Sequence, residues 1–314
     1  MKQLPIAVLI TITLLIISAF IYIYVTSSTD QNTRAVKSEK ISIPKDNDFE
    51  IVFETESVDL PAKPPWVQYG EKSFYPKMNY FVADEDIWIT EITPIVEGAP
   101  AEVLHHGTIY FQNDYQKYCN DSHQIFYSSS KEMIPVSTPK WYGYFIPKGT
   151  TLKSDMHWIH FRNDTEKSFQ NVKYKVIAKA TKDNTKNLKS ANIFWLNIEC
   201  SEINEYIFPV PPNEIFTTSL KEPYVATEDF EMAALFSHVH DYGKNMKFKI
   251  NGEAIWTFYP VIENEIIKTI PPYYPQKPIK VKKSDVLDIE VTYENPTENV
   301  SEGMGMFAAL IYKE

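Results

Sequence analysis

From Phe49 onward, the sequence alternates apolar and polar residues in short runs, and no helical period persists. The clearest run, Leu287–Tyr293, places Leu, Ile, Val and Tyr on one face, because successive side chains of a strand point to opposite sides. Asn251-Gly252 lies between two further runs and predicts a tight hairpin turn. The 20 Tyr, 18 Phe and 21 Pro, against 9 Gly, are typical of short strands joined by rigid turns. These patterns predict an all-β sandwich or jelly roll.

The polar run Ala180–Ser190 is the predicted boundary between two domains. It divides the chain into halves of about 130 residues each, which is a common domain size. We therefore predict two tandem jelly-roll β-sandwich domains, at 49–185 and 186–314. The sequence has no Rossmann or P-loop glycine signature and no Gly-x-Ser-x-Gly elbow, so those α/β folds are not indicated.

The N-terminal segment Pro5–Thr26 carries no charge and is long enough to cross a bilayer as a helix. A secretory signal has a shorter apolar region, so we predict a transmembrane anchor in residues 1–27, with secretion as the outcome if the segment is cleaved. Residues 28–48 are polar and aperiodic, and predict a tether. A single span before large polar domains predicts a membrane protein whose later domains lie outside the cytoplasm.

Charge and cysteine content narrow the classes of partner and of fold. The net charge of −10 argues against a nucleic-acid partner, which would require a basic face. Cys119 and Cys200 are the two cysteines, too few for a disulfide framework, and either one bridge or two separate thiols is compatible with the sequence.

His105 and His106 are adjacent within Val103–Tyr110, where a strand is expected. Neighbouring residues on a regular strand face opposite sides, so one buried and one exposed histidine is the simplest interpretation. Both can reach one metal ion only if the strand is bulged or ends there. Gly107 would make such a distortion easier.

The next histidines along the chain, His157 and His160, are three residues apart and would lie on opposite faces of a strand. Only one of them can therefore join His105 and His106. We choose His160. We predict that the side chain of His157 is either solvated or contacts a metal ligand without binding the metal itself. His123 lies in a polar stretch and is predicted to have no specific role.

His238 and His240 stand at i and i+2 and therefore share one face of a strand. Met304 or Met306 can supply a third ligand, and core packing is the alternative role for each of them. Thioether sulfur favours Cu(I), and imidazole suits copper in both common oxidation states. A His-His-Met set thus predicts a copper site, whereas a structural zinc site would prefer cysteines and four closed ligands.

The order of these motifs resembles the copper type II, ascorbate-dependent monooxygenases, the family of peptidylglycine α-hydroxylating monooxygenase and dopamine β-monooxygenase. The resemblance extends from about residue 50 to the C-terminus. The motifs that carry it are Leu104–Gly107, Pro147–Thr150 leading into His157–Phe161, His238–Met246 and Glu302–Phe307. Each motif is weak alone, and their order carries the resemblance.

The resemblance implies two copper ions per chain, one on each jelly-roll domain. The electron-storing copper would be held by His105, His106 and His160. The catalytic copper, which binds oxygen and substrate, would be held by His238, His240 and Met304. Met304 is preferred over Met306 because it stands at the matching distance from the final Ile-Tyr. The implied reaction hydroxylates a C–H bond of a small organic substrate with O2 and one-electron delivery from ascorbate or another donor.

This chain departs from the family at the substrate contacts. Phe236 stands where the peptidylglycine branch has an arginine that grips the substrate carboxylate, so a peptide C-terminus is not the expected substrate. Met306 and Ala308 replace polar and aromatic contacts of the family. A copper-binding or copper-carrier protein of the same fold is the alternative function. A cupin-like or lectin-like jelly roll is a third interpretation. Cupins usually have a Glu a few residues after the His-x-His pair, but the next Glu in this chain, Glu253, lies across the predicted turn.

Overall fold

Strands make up nearly all the regular structure in the computed structural model of this chain. The structure describes residues 40–41, 46–62, 76–111, 125–158, 167–183, 186–199, 207–263 and 266–313. Within these ranges, no helix is long and apolar enough to cross a membrane. The predicted anchor at 1–27, Cys119 and Cys200 lie outside the described residues.

The strands of the first half are β1 (Lys40–Ile41), β2 (Asp48–Glu54), β3 (Val58–Leu60), β4 (Tyr80–Val82), β5 (Ile87–Glu97), β6 (Leu104–Phe111), β7 (Ile125–Ser129), β8 (Val136–Ser137), β9 (Tyr142–Ile146), β10 (Thr151–Trp158) and β11 (Phe169–Thr181). A short 3-10 helix, Ala101–Val103, precedes β6. The strands of the second half are β12 (Lys189–Asn197), β13 (Ile207–Val210), β14 (Glu214–Ser219), β15 (Tyr224–Val225), β16 (Phe230–Val239), β17 (Gly243–Ile250), β18 (Glu253–Phe258), β19 (Val261–Glu263), β20 (Ile266–Thr269), β21 (Ile279–Val281), β22 (Val286–Asn295) and β23 (Ser301–Tyr312).

The first half is a sandwich of two sheets. One sheet has the order β1-β4-β10-β6-β7, and the facing sheet contributes β2-β11-β5-β9. The alternating sequence turns one face of each sheet inward, and the large side chains of Phe53, Phe81, Trp158 and Tyr174 are fully buried between them. Burial of each large apolar side chain contributes about 1.5–3 kcal/mol, so this shared core holds the two sheets together.

The second half repeats the arrangement. Strands β12-β23-β16-β21 continue the large sheet, and β14-β22-β17-β18 form the sheet that faces them. Phe248 and Phe307 stack across the core with ring centroids 4.3 Å apart and planes within 8°. The predicted alternation of Leu287–Tyr293 is present, since Leu287, Ile289, Val291 and Tyr293 are all fully buried.

The strand order of both sandwiches is jelly-roll-like. In the first half, β2 pairs with β11 in one sheet and β4 pairs with β10 in the other; in the second half, β12 pairs with β23 and β14 pairs with β22 in the same way. The sequence prediction of an all-β, jelly-roll-like sandwich is confirmed.

The predicted boundary, Ala180–Ser190, joins β11 to β12. The large sheet nevertheless runs without interruption from one half to the other, because β9 pairs in parallel with β12 and places Tyr142 opposite Lys189. The described residues beyond Lys37 all belong to one compact unit. Lys40–Ile41, within the predicted tether, pairs with β4.

Candidate metal centre

Strand β6 presents His105 and His106 to the same side because it is bulged at His105. On the neighbouring strand, His157 lies opposite His106 and Trp158 lies opposite Leu104, so His105 is the extra residue. A bulge of this kind changes the direction of one side chain relative to the regular alternation. The two imidazole centroids are 4.1 Å apart. The bulge that joint metal binding requires is therefore present.

His157 belongs to the same group of rings. Its register position opposite His106 places it on that face of the sheet, and its Nε2 contacts Nδ1 of His105. The centroids of these two rings are 4.3 Å apart. The sequence analysis instead chose His160, which lies outside the described residues, as does His123. Spacing along one strand could not show the cross-strand register that brings His157 inward.

His238 and His240 approach the same rings from the second half of the chain. Nε2 of His238 lies 3.3 Å from Nε2 of His106. The ring of His240 has its centroid 5.4 Å from that of His105 and 5.9 Å from that of His106. One group, here called the histidine cluster, thus consists of His105, His106, His157, His238 and His240.

The histidine cluster brings together histidines that the sequence analysis expected in two half-sites. The sequence analysis assigned His105 and His106 to one domain's copper and His238 and His240 to the other's. In the structure, the first residues of β6 lie next to the last residues of β16, so imidazole rings from both halves of the chain are in contact. A strand pattern specifies which face a side chain occupies, but not which distant strand that face will meet.

Three members of the cluster are placed to share a metal ion. One ring nitrogen from each of His105, His106 and His240 lies within 4.8 Å of the other two. Nitrogens bound to one ion at about 2.1 Å are at most about 4 Å apart, so small ring rotations bring these three into ligand range. Nε2 of His105 and Nε2 of His240 are buried without a hydrogen-bond partner among the described residues. Such an unpaired group costs about 1–3 kcal/mol, and metal coordination would satisfy it.

Burial keeps these rings neutral. Desolvation, assisted by the neighbouring imidazoles, lowers the pKa of His105 to about 3. Desolvation also lowers the pKa of His157 to about 4, and those of His106 and His240 well below the ordinary value. A neutral imidazole offers a nitrogen lone pair, which is the form that binds metals. The cluster is therefore ready to bind a cation at neutral pH.

The turn after β7 supports the cluster with two buried carboxylate contacts. Oε1 of Glu132 lies 3.1 Å from Nδ1 of His238. If that nitrogen carries the proton and donates to the carboxylate, the lone pair of His238 is on Nε2, which faces His106. Beside it, Nζ of Lys131 bonds Oδ1 of Asp241 at 2.5 Å. Both contacts join the first half of the chain to the end of β16.

We expect Glu132→Gln to weaken copper binding by about 10- to 100-fold, because a neutral amide holds and polarises His238 less strongly. Isothermal titration of the metal-free protein with copper under a competing chelator measures this change. Glu290→Gln is the matched control, since Glu290 pairs with Lys247 and Lys249 instead of a histidine. Equal affinity in the two variants would show that Glu132 does not support the centre.

Tyr293 fixes the backbone beside His240. Its hydroxyl accepts hydrogen bonds from the backbone N–H groups of His240 and Met304, each at 2.9 Å. It also donates to the carbonyl oxygen of Met304 at 2.5 Å. The hydroxyl therefore has hydrogen bonds at its donor and at both acceptor positions. It holds the end of β16 next to the start of β23.

We expect Tyr293→Phe to lower the free energy of unfolding by about 2–4 kcal/mol, because it leaves two buried N–H groups without an acceptor. Urea denaturation measures the change. Tyr259→Phe is the control, since the side chain of Tyr259 is 65% exposed. A loss no larger than that of the control would contradict the role given to the Tyr293 hydroxyl.

The two late methionines occupy different positions. Met306 lies directly opposite His238 in the pairing of β16 with β23, and it shares a pocket with His106 and His238. The backbone of Met304 is held next to that of His240 through Tyr293, and its side chain is buried. The sequence analysis chose Met304 as the ligand, and this stays a prediction. It did not foresee that Met306 would lie beside His238.

An apolar pocket with a cavity volume of about 80 Å³ adjoins the cluster. His106 and His238 form part of its lining. A mostly apolar lining with a few polar groups is typical of small-molecule sites. The site therefore combines side chains that could hold a metal ion with an apolar space beside them.

Comparison with known proteins does not assign the chain to a family. No protein-family model matches it, and no curated protein matches it. Among solved structures, PNGF-II is similar at 11% identity and a TM-score of 0.37, over 86% of this chain and 66% of PNGF-II. The chain thus spans slightly less than two thirds of PNGF-II. The major capsid protein P2 from bacteriophage PM2 is similar at 8% identity and a TM-score of 0.34, over 83% of this chain and 98% of P2. The STIV MCP is similar at 8% identity and a TM-score of 0.33, over 84% of this chain and 95% of that protein. Similarities this weak indicate no function.

Proposed function

We propose that the protein is a copper-dependent monooxygenase that hydroxylates a C–H bond of a small organic substrate. Its co-substrates are O2 and a one-electron reductant such as ascorbate. The observation that carries the proposal is the buried histidine cluster, with unpaired nitrogens on His105 and His240, next to an apolar pocket lined by His106 and His238. The sequence resemblance to copper type II monooxygenases adds independent support.

The donor set favours copper. Five imidazoles suit copper, zinc, iron or nickel far better than Mg or Ca, which prefer oxygen ligands. Met306, which lies opposite His238 and lines the same pocket, adds a thioether beside the cluster, and thioethers favour Cu(I). The carboxylate of Glu132 hydrogen-bonds His238, so we do not count it as an oxygen ligand for the metal.

The chain's own residues would hold the metal and place the substrate. His105, His106 and His240 would be the principal ligands, and His157 and His238 are close enough to complete the centre. Bound copper would supply the electron transfer and oxygen chemistry. Glu132 would hold His238 in one orientation, and the apolar pocket would exclude water and hold a substrate C–H bond toward the cluster.

The domain organisation and location belong to the same proposal. The repeated strand order supports two tandem jelly-roll domains, divided between β11 and β12. A transmembrane anchor at residues 1–27 would tether them outside the cytoplasm. In this arrangement each domain supplies part of one centre, in contrast to the two separate coppers that the family resemblance implies.

Oxygen uptake tests the function. The full-length protein in detergent, loaded with copper, should consume O2 in the presence of ascorbate and an organic substrate panel. Protein loaded with zinc and an equal concentration of free copper are the controls. Substrate-dependent uptake above both controls, with a hydroxylated product by mass spectrometry, is the expected result. Tight copper binding without such uptake would replace the proposal with the alternative, a copper-binding protein without turnover.

A further inference from the structure

We infer that the pocket beside the histidine cluster takes an uncharged aromatic molecule. Calling that molecule the substrate rests on the proposed function, but binding of the molecule to the pocket requires no metal. The inference comes from the shape of the pocket floor and from the charges of its lining.

Three adjacent strands of the large sheet form the floor. Trp195 on β12 and Phe236 on β16 both lie opposite Ala308 on the central strand β23. Neighbouring strands are about 4.8 Å apart, so the two aromatic residues stand roughly 10 Å apart with a methyl group between them. The part of the pocket above Ala308, between these two side chains, is here called the slot, and it is the part that would admit one flat ring.

The walls of the slot are fixed in place. The indole nitrogen of Trp195 donates to the carbonyl oxygen of Ile125 at 3.0 Å. Phe236 packs edge-to-face against Tyr274 with ring centroids 6.2 Å apart. A preformed slot binds a rigid ring with little loss of side-chain entropy.

Two polar side chains of the lining are engaged in hydrogen bonds with other groups of the protein. The Tyr127 hydroxyl donates to the carbonyl oxygen of Ile134 at 3.1 Å, and the Ser129 hydroxyl bonds the Tyr174 hydroxyl at 2.5 Å. Among the described lining residues, Glu132 is the only acidic or basic side chain other than the histidines, and it bonds His238. The Ser237 hydroxyl, which is buried without a hydrogen-bond partner among the described residues, is neutral, so no described lining group other than the histidines and Glu132 carries a charge that could pair with a substrate carboxylate or ammonium. A charged ligand would lose its hydration without compensation.

The slot directs a bound ring toward the metal-binding side chains. The row that contains Met306 and His238 follows the row of Ala308 and Phe236 by two residues along the strands. Two residues span about 7 Å, so a substituent on a ring in the slot reaches the edge of the histidine cluster. An alkyl substituent would place its C–H bonds there.

Three ligands that share one ring test the inference on the full-length, metal-free protein in detergent. Benzyl alcohol is neutral, benzoate is an anion and benzylamine is a cation at pH 7. Ligand-observed NMR titration should show benzyl alcohol binding at least tenfold more tightly than either charged ligand. Equal or tighter binding of a charged member would overturn the inference.

Two variants locate the binding. Ala308→Leu should fill the slot and weaken benzyl alcohol binding at least tenfold, whereas Ala254→Leu, on the exposed edge of β18, should not change it. Phe236→Arg should reverse the preference toward benzoate, which gives a second test if Ala308→Leu does not fold. Unchanged ligand selectivity in a folded Phe236→Arg protein, or unchanged affinity in a folded Ala308→Leu protein, would contradict the assignment.

Because no metal is present, the ligand-binding result is independent of the oxygen-uptake result. Binding of the ring without turnover would remove the proposed function and leave the pocket assignment intact.

Discussion

His106→Ala should lower the affinity of the protein for copper by at least a hundredfold. His106 is the central member of the histidine cluster, since its ring centroid lies 4.1 Å from that of His105, 5.6 Å from that of His157, 5.2 Å from that of His238 and 5.9 Å from that of His240. Its removal takes away one ligand and opens the space between the others to water. Metal analysis after dialysis against a weak chelator measures the effect.

His123→Ala is the matched control, because His123 has no predicted role and lies outside the described residues. The control should retain its copper. Retention of copper by His106→Ala at the wild-type level would show that the cluster is not where the metal binds.

The metal-free protein should lose stability as the pH falls from 7 to 5. In the unfolded chain, His105 and His157 take up protons near pH 6.5, whereas in the folded protein their pKa values are lowered to about 3 and about 4. The unfolded state therefore binds more protons throughout this window, and folding stability decreases as the pH is lowered. Each histidine contributes a loss of roughly 2 kcal/mol over two pH units.

Asp155 acts in the opposite direction. Burial raises the pKa of its carboxyl to about 6, so the folded protein takes up this proton first and gains roughly 1 kcal/mol over the same window. The net loss from the three groups is roughly 2–3 kcal/mol. Urea unfolding at pH 7, 6 and 5 measures it.

The variant His157→Gln isolates the histidine contribution. It removes one titrating ring and should reduce the loss between pH 7 and pH 5 by roughly 2 kcal/mol, whereas His123→Gln should leave the loss unchanged. Stability that is independent of pH, or that rises toward pH 5, would contradict the buried, neutral state of these rings.

The all-β fold could be predicted because its information is local. Alternation in Leu287–Tyr293 specifies a strand with one buried face, and no helical period persists from Phe49 onward. The repeated strand order and the continuous sheet through β9 and β12 could not be predicted. They depend on pairing between strands that are distant in the sequence, which the period of one strand does not encode.

The candidate site was predictable in its residue types but not in its assembly. The i, i+2 spacing placed His238 and His240 correctly on one face, and the bulge at His105 was the condition already identified for His105 and His106. The contact of His157 with His105 follows from the register of β10 with β6, which spacing along one strand does not show. The contact between the two halves was missed for the same reason.

Gly107 illustrates the same limit. The sequence analysis treated it as an aid to strand distortion. The structure gives it a further role, since a Cβ atom there would lie 2.4 Å from the ring of Tyr174. The buried tyrosine comes from β11, on the facing sheet, and its approach could be seen only after the sandwich was assembled.

The central claim is that histidines from both halves of the chain form one copper centre. The most direct measurement is the copper affinity of His106→Ala, His238→Ala and the double variant, compared with the unmodified protein. One shared centre predicts strong non-additivity, with the double variant binding copper little more weakly than the weaker single variant. Additive losses, in which each single variant loses one of two independent coppers and keeps the other unchanged, would contradict the claim.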